Sequence, residues 1–274
     1  MPYAAVNGTE LHYRIDGERH GNAPWIVLSN SLGTDLSMWA PQVAALSKHF
    51  RVLRYDTRGH GHSEAPKGPY TIEQLTGDVL GLMDTLKIAR ANFCGLSMGG
   101  LTGVALAARH ADRIERVALC NTAARIGSPE VWVPRAVKAR TEGMHALADA
   151  VLPRWFTADY MEREPVVLAM IRDVFVHTDK EGYASNCEAI DAADLRPEAP
   201  GIKVPALVIS GTHDLAATPA QGRELAQAIA GARYVELDAS HISNIERADA
   251  FTKTVVDFLT EQKGGSLEHH HHHH

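Results

Sequence analysis

Residues 95–99 read Gly-Leu-Ser-Met-Gly, where an apolar run (Ala91 to Leu96) gives way to a small-residue helical pattern from about Met98. A serine on a tight turn with unfavourable backbone angles needs neighbours without bulky Cβ substituents, which the flanking glycines supply. G-x-S-x-G with a strand before it and a helix after it is an arrangement that presents Ser97 as a nucleophile. The following helix would aim its free N–H groups and positive dipole end at the reaction centre. The Met98 N–H can then donate to a developing oxyanion. Taken alone, the pentapeptide also suits a glycine-rich helix start with an N-cap serine.

A serine hydroxyl is a poor nucleophile without a base, and the base needs an orienting acid. The chain order expected for this turn is Ser, then Asp or Glu, then His. Asp214 lies in "ISGTHDLAATP" and His241 in "ELDASHISNIE", each just past an apolar strand pattern. His213 and Asp238 are local competitors. Asp214 is preferred because it starts the loop leading to Pro219, whereas Asp238 is only three residues before His241. The loop after "WIVLSN" is Ser31-Leu32-Gly33, and the Leu32 N–H is the expected second oxyanion donor.

The elements that must position these groups follow from periodicity. "YAAV" and "ELHYRID" flank Asn7-Gly8, a hairpin signal. Apolar runs at 25–30, 51–56, 91–97, 114–121, 204–211 and 232–238 alternate with helical patterns at 40–50, Thr71 to Leu86, about Met98 onward, 219–231 and about Glu246 onward. Such alternation predicts an α/β fold with a mostly parallel sheet and helices on both faces. From about residue 123 to 197 it stops, and the chain is helical in pattern without a clear strand. The expected organisation is a core of 1–122 and 198–264 with a helical cap insertion over 123–197. Residues 265–274, ending in "LEHHHHHH", read as a linker and expression tag.

The chain of 274 residues is 45% hydrophobic, enough for a proper core, and carries a net charge of −6. That charge favours neither nucleic acid nor an anionic membrane surface, and no run of apolar residues is long enough for a membrane helix. Cys94, Cys120 and Cys187 lack CxxC spacing and read as reduced thiols of a cytoplasmic protein. No dinucleotide fingerprint is present, and His60, His62 and Asp56 form a weak metal-ligand set, so no cofactor or metal is expected.

With these residues in hand, the chain resembles an α/β-hydrolase over essentially its whole length. The resemblance rests on "DTRGHGHS" (56–63), "GLSMGG" (95–100), the Asp214 loop and the His241 loop. One departure is Asn30-Ser31, where the superfamily commonly has His-Gly. "SNSLGTDLSMW" (29–39), "RYDTRGHGHSEAPKGPYTIEQL" (54–75), "FCGLSMGGLTG" (93–103), "EVWVPRAVKARTEGM" (130–144) and "LPRWFT" (152–157) look like the 3-oxoadipate enol-lactonases. That resemblance implies a cofactor-independent serine hydrolase opening a carboxylated enol-lactone to 3-oxoadipate, in degradation of aromatic compounds.

A substrate carboxylate calls for a cation or several N–H donors. Arg135 and Lys138 are candidates, with exposed helix charges as the other reading. Trp132 and Trp155 suit either a pocket wall or packing between cap and body. A broad carboxylesterase, a carbon–carbon bond hydrolase and a slow-turnover ligand sensor share the triad. The carbon–carbon bond hydrolases commonly carry Trp after the catalytic His, where this chain has Ile242. Dehalogenases and most epoxide hydrolases use an Asp nucleophile, which Ser97 excludes.

Overall fold

A computed structural model describes residues 2–17 and 21–261. The expected linker and tag lie outside the described residues. Asn7 (φ 49°) and Gly8 (φ 76°) both adopt left-handed backbone, so the two-residue turn matches strand twist and closes a hairpin of β1 (Tyr3–Val6) and β2 (Thr9–Asp16). The other strands are β3 (Trp25–Ser29), β4 (Arg51–Tyr55), β5 (Ala91–Leu96), β6 (Ile114–Cys120), β7 (Ala206–Gly211) and β8 (Arg233–Leu237). They form one eight-stranded sheet in the order β1-β2-β4-β3-β5-β6-β7-β8. The hairpin joins antiparallel to β4, and every later pairing is parallel. β5 and β7 are buried along their whole length, as expected of strands covered on both faces.

The helices are α1 (Ala40–Leu46), α2 (Ile72–Thr85), α3 (Met98–Arg109), α4 (Pro129–Glu142), α5 (Met144–Val151), α6 (Ala158–Arg163), α7 (Pro165–Val176), α8 (Lys180–Ala192), α9 (Pro219–Ala228), α10 (Ser243–Glu246) and α11 (Ala248–Thr260). α3 packs on β3, β5 and β6 with α2 beside it, α9 covers β7 and β8, and α1 pairs with α11. α2 starts where the sequence indicates because Thr71 and Gln74 form a reciprocal capping box. The helix expected from about Glu246 is two pieces, α10 and α11, interrupted at Arg247.

Helices α4 to α8 all lie between β6 and β7. α4 packs along α8, and Arg140 of α4 pairs with Glu181 and Glu188 of α8. Gly59 and Gly182 touch backbone to backbone, which brings α8 onto the turn after β4.

Register brings the carboxyl ends of the central strands level. Ser29 faces Gly95, Leu96 faces Cys120, Cys120 lies one residue from the Val208–Leu119 pair, and Gly211 faces Leu237. Residues just past these ends therefore share one edge, where ligands of such sheets bind. The turn at 56–63 is anchored to α2 by a buried ion pair, Arg58 Nε to Asp78 Oδ2 at 2.7 Å, and Asn7 Nδ2 donates to Asp78 Oδ1 at 3.0 Å. Removing one member of a buried pair strands the other charge. Asp78→Ala is expected to cost about 3–5 kcal/mol of unfolding free energy, measured by urea denaturation. A loss under about 1 kcal/mol would show that the pair does not anchor the turn.

Candidate active site

Ser97 sits between β5 and α3 with φ 60° and ψ −113°, a region that L-residues avoid. Its N–H donates to Cys120 O (2.8 Å), and its carbonyl accepts from Thr122 Oγ1 (2.8 Å) and Leu101 N (2.9 Å). The strained residue is thus held by β6 on one side and its own helix on the other. The two flanking glycines serve space rather than dihedral freedom, since neither has positive φ. A Cβ on Gly95 would collide with the Gly99 carbonyl, and one on Gly99 with the Ser29 carbonyl.

His241 Nε2 lies 2.9 Å from Ser97 Oγ, and its Nδ1 lies 2.8 Å from Asp214 Oδ2. With Asp214 ionised, Nδ1 carries the proton and Nε2 offers its lone pair to the serine hydroxyl. Burial works to raise the Asp214 carboxyl, yet the His241 charge and hydrogen bond, the Asn121 amide and the Ala217 N–H outweigh it and hold it below the usual range. Asp214 Oδ1 accepts from Ala216 N (2.9 Å) and Ala217 N (3.1 Å), so both oxygens are satisfied. The competitors pair with each other: exposed His213 Nε2 lies 2.9 Å from Asp238 Oδ1.

Two residues of this cluster were not among the expected ones. Asn121, fully buried with φ 47°, donates through Nδ2 to Asp214 Oδ2 and Ser240 O (both 3.1 Å) and accepts from Ser243 Oγ (2.6 Å). Its position just past β6, level with the other strand ends, was its only sequence signal. Glu246 is buried and accepts from Ser240 N (3.0 Å), Thr157 N (3.2 Å) and Thr157 Oγ1 (2.5 Å). Ser240 Oγ donates to Arg154 O (2.7 Å) and Ile242 N to Trp155 O (3.0 Å). Both neighbours of His241 are therefore bonded to the 154–157 segment.

The Leu32 N–H and the Met98 N–H donate to no protein group among the described residues. Asn30, in place of the common His, ties this loop down. Its Nδ2 donates to Tyr55 O, its Oδ1 accepts from Trp39 Nε1 (both 2.8 Å), and its carbonyl accepts from Gly99 N (3.1 Å). Gly33 (φ 80°) has no room for a Cβ against the Phe175 and Tyr183 rings.

From there an aromatic series runs through the α4–α8 region. Trp155 meets Phe175 edge-on at 5.6 Å, and Phe175 meets Tyr183 at 5.6 Å. The Arg135 guanidinium lies near the Tyr183 hydroxyl and stacks over Trp132, 4.9 Å from the ring centroid. The Trp132 indole N–H is used structurally, donating to Ile126 O at 2.7 Å. Arg135 is half-buried, and no Asp or Glu among the described residues pairs with it. Lys138 is half-buried one turn further along and pairs with no Asp or Glu among the described residues. Ser97 is 8%, His241 3% and Asp214 2% exposed, so the three side chains lie under cover.

A Ser–His–Asp relay at the carboxyl edge of a mostly parallel sheet, under a group of helices inserted between two strands, defines a hydrolase-type architecture. The chain belongs to the α/β-hydrolase fold family, whose model matches residues 24–248. It is 43% identical over 245 residues to 3-oxoadipate enol-lactonase 2 of Acinetobacter baylyi, covering 89% of this chain and 91% of that protein. It is 38% identical to 3-oxoadipate enol-lactonase 1 of the same organism, covering 92% and 94%. Among solved structures, a hydrolase from Pseudomonas aeruginosa superposes with a TM-score of 0.91 at 42% identity, covering 95% of this chain and 98% of that one. No helix among the described residues is long and apolar enough to cross a membrane.

Because the carbonyls facing Gly95 and Gly99 belong to the backbone, neither can retreat as a side chain would. Gly99→Ala is expected to destabilise the fold by about 1–3 kcal/mol or more, read from thermal unfolding. An unchanged melting temperature would show that the β3–α3 contact is looser than described.

Proposed function

We propose that the protein is a serine hydrolase that opens an enol-lactone bearing a carboxylate, 3-oxoadipate enol-lactone in the reading that its relatives favour. The observation that carries the carboxylate is Arg135: a half-buried guanidinium without a carboxylate partner among the described residues, near the Tyr183 hydroxyl beside the Gly33 loop. Burial pushes the Tyr183 phenol up, so it stays neutral and keeps its proton for donation. A guanidinium and a neutral phenol together suit a carboxylate.

In this reading His241 takes the Ser97 proton as Oγ attacks the lactone carbonyl. The Leu32 and Met98 N–H groups hold the oxyanion, helped by the α3 dipole. Collapse expels the ring oxygen, which takes the proton from His241 and leaves as an enol, giving an acyl-enzyme whose free end relaxes to a ketone. That relaxation removes the nucleophile that could re-close the ring. Water deprotonated by His241 then releases the dicarboxylic product, and His241 returns its proton to Ser97. Asp214, kept ionised by its donors, steadies the imidazolium at each step. Residues 123–197 act as the cap that supplies the substrate pocket, with Trp155 on its wall, Trp132 holding Arg135 in place and Lys138 adding positive charge nearby.

Ser97→Ala is expected to leave the fold intact and reduce lactone hydrolysis by at least about 10⁴-fold, measured with the enol-lactone under steady-state conditions. Activity near that of the parent would remove Ser97 as nucleophile. Arg135→Ala is expected to raise KM for the carboxylated lactone about tenfold or more while leaving a neutral ester of similar size within about twofold. Equal changes for both substrates would remove Arg135 from carboxylate recognition.

A further inference from the structure

The "RGHGH" turn contains a buried imidazole that the reaction above does not use. His60 is 1% exposed, and its Nε2 lies 2.9 Å from Gly33 N. A backbone amide can only donate, so Nε2 bears the lone pair. Nδ1 then carries the proton and donates to Arg58 O at 3.3 Å. Burial pushes the His60 imidazole down, against the Arg58 carbonyl and the Asp56 and Asp35 carboxylates, which favour its protonated form. His60 is thus a neutral ring with a defined tautomer, facing the loop that contains Leu32.

The same turn grips that loop a second time. Asp56 Oδ1 accepts from Leu36 N at 2.8 Å, while Asp56 Oδ2 accepts from His62 N (2.9 Å) and faces His12 Nδ1 (2.8 Å). These contacts satisfy Asp56 within the fold. On its far side the turn is held by α8, since Asn186 Nδ2 donates to Arg58 O at 2.9 Å. Gly33 itself cannot shift outward, because the Phe175 and Tyr183 rings occupy the space beside it.

We propose that His60 is a positioning residue for the oxyanion loop: by accepting the Gly33 N–H it orients the adjoining peptides so that the Leu32 N–H stays free to face the reacting carbonyl. The inference rests on the proposed role of Leu32 as an oxyanion donor. The Gly33 amide would otherwise be a buried donor without a partner, and turning the loop to satisfy it would withdraw the neighbouring amide. A donor that is misaimed acts on the transition state more than on bound substrate, so the effect belongs in kcat.

The test compares His60→Phe and His60→Gln in the full chain, with the enol-lactone and a p-nitrophenyl ester, after circular dichroism has established folding. Phe fills the space but accepts no hydrogen bond, whereas the Gln amide oxygen reaches the place of Nε2. His60→Phe is expected to lower kcat about 10–100-fold with KM within about twofold, and His60→Gln to stay within about threefold of the parent. A His60→Phe enzyme with the parent kcat, or equal losses in both variants, would overturn the proposal. Where His60→Phe fails to fold, ¹⁵N imidazole spectra of the parent protein decide. A His60 signal from the Nδ1–H tautomer supports the role, and one from the Nε2–H tautomer overturns it. Ser97→Ala run alongside keeps the two readings apart. If it is inactive while His60→Phe is unaffected, only the His60 role is lost; if it is active, the nucleophile assignment is lost with it.

Discussion

The left-handed backbone of Ser97 is the constraint around which the rest of the site is arranged. A serine at φ 60° and ψ −113° persists only where surrounding contacts outweigh the strain. Here they come from Cys120 O on β6, Thr122 Oγ1 just beyond it, and Asn30 O, which takes the Gly99 N–H. The hold therefore requires β3, β5 and β6 to be neighbours with level carboxyl ends. It also requires residues 95 and 99 to lack a Cβ, because α3 packs against β3 and β5 through their bare backbone. Sheet order, glycine placement and the direction of the hydroxyl toward His241 are one geometric solution.

The loop carrying His241 is built differently, through hydrogen bonds rather than backbone strain. Glu246 gathers Ser240 and Thr157, while Arg154 O and Trp155 O accept from Ser240 and Ile242. The segment at 154–157 is thus attached to the loop that carries His241, and moving it would disturb the His241–Ser97 contact. Trp155, Phe175 and Tyr183 then carry that rigidity across to Arg135 and Gly33.

Much of this was legible in the chain. The strands at 25–29, 51–55, 91–96, 114–120, 206–211 and 233–237 appear where apolar runs predict them, within a residue or two. The hairpin at Asn7-Gly8 follows from local chemistry. Ser97, Asp214 and His241 stood out because each follows a strand, and the structure brings them within hydrogen-bond distance. Asn121 and Glu246 did not stand out. Asn121's partners lie 93, 119 and 122 residues away, and Glu246 joins nearby Ser240 to Thr157, 89 residues away, so a single Asn or Glu carries no periodic signal. His60 was visible but looked like part of a weak metal set, because its acceptor role depends on Gly33 lying opposite its ring.

The sequence by itself determined the alternation of strands and helices, the interruption at about residue 123, and the glycine-flanked serine at a strand end. These are short-range properties, set by side-chain period, turn chemistry and the steric needs of a few adjacent residues. Only the tertiary structure decided that Asn121 backs Asp214, that Arg135 lies near Tyr183 with no carboxylate partner among the described residues, and that His60 accepts the Gly33 amide. Each of these depends on the direction of a side chain across a gap between distant segments, and local preference does not encode that direction.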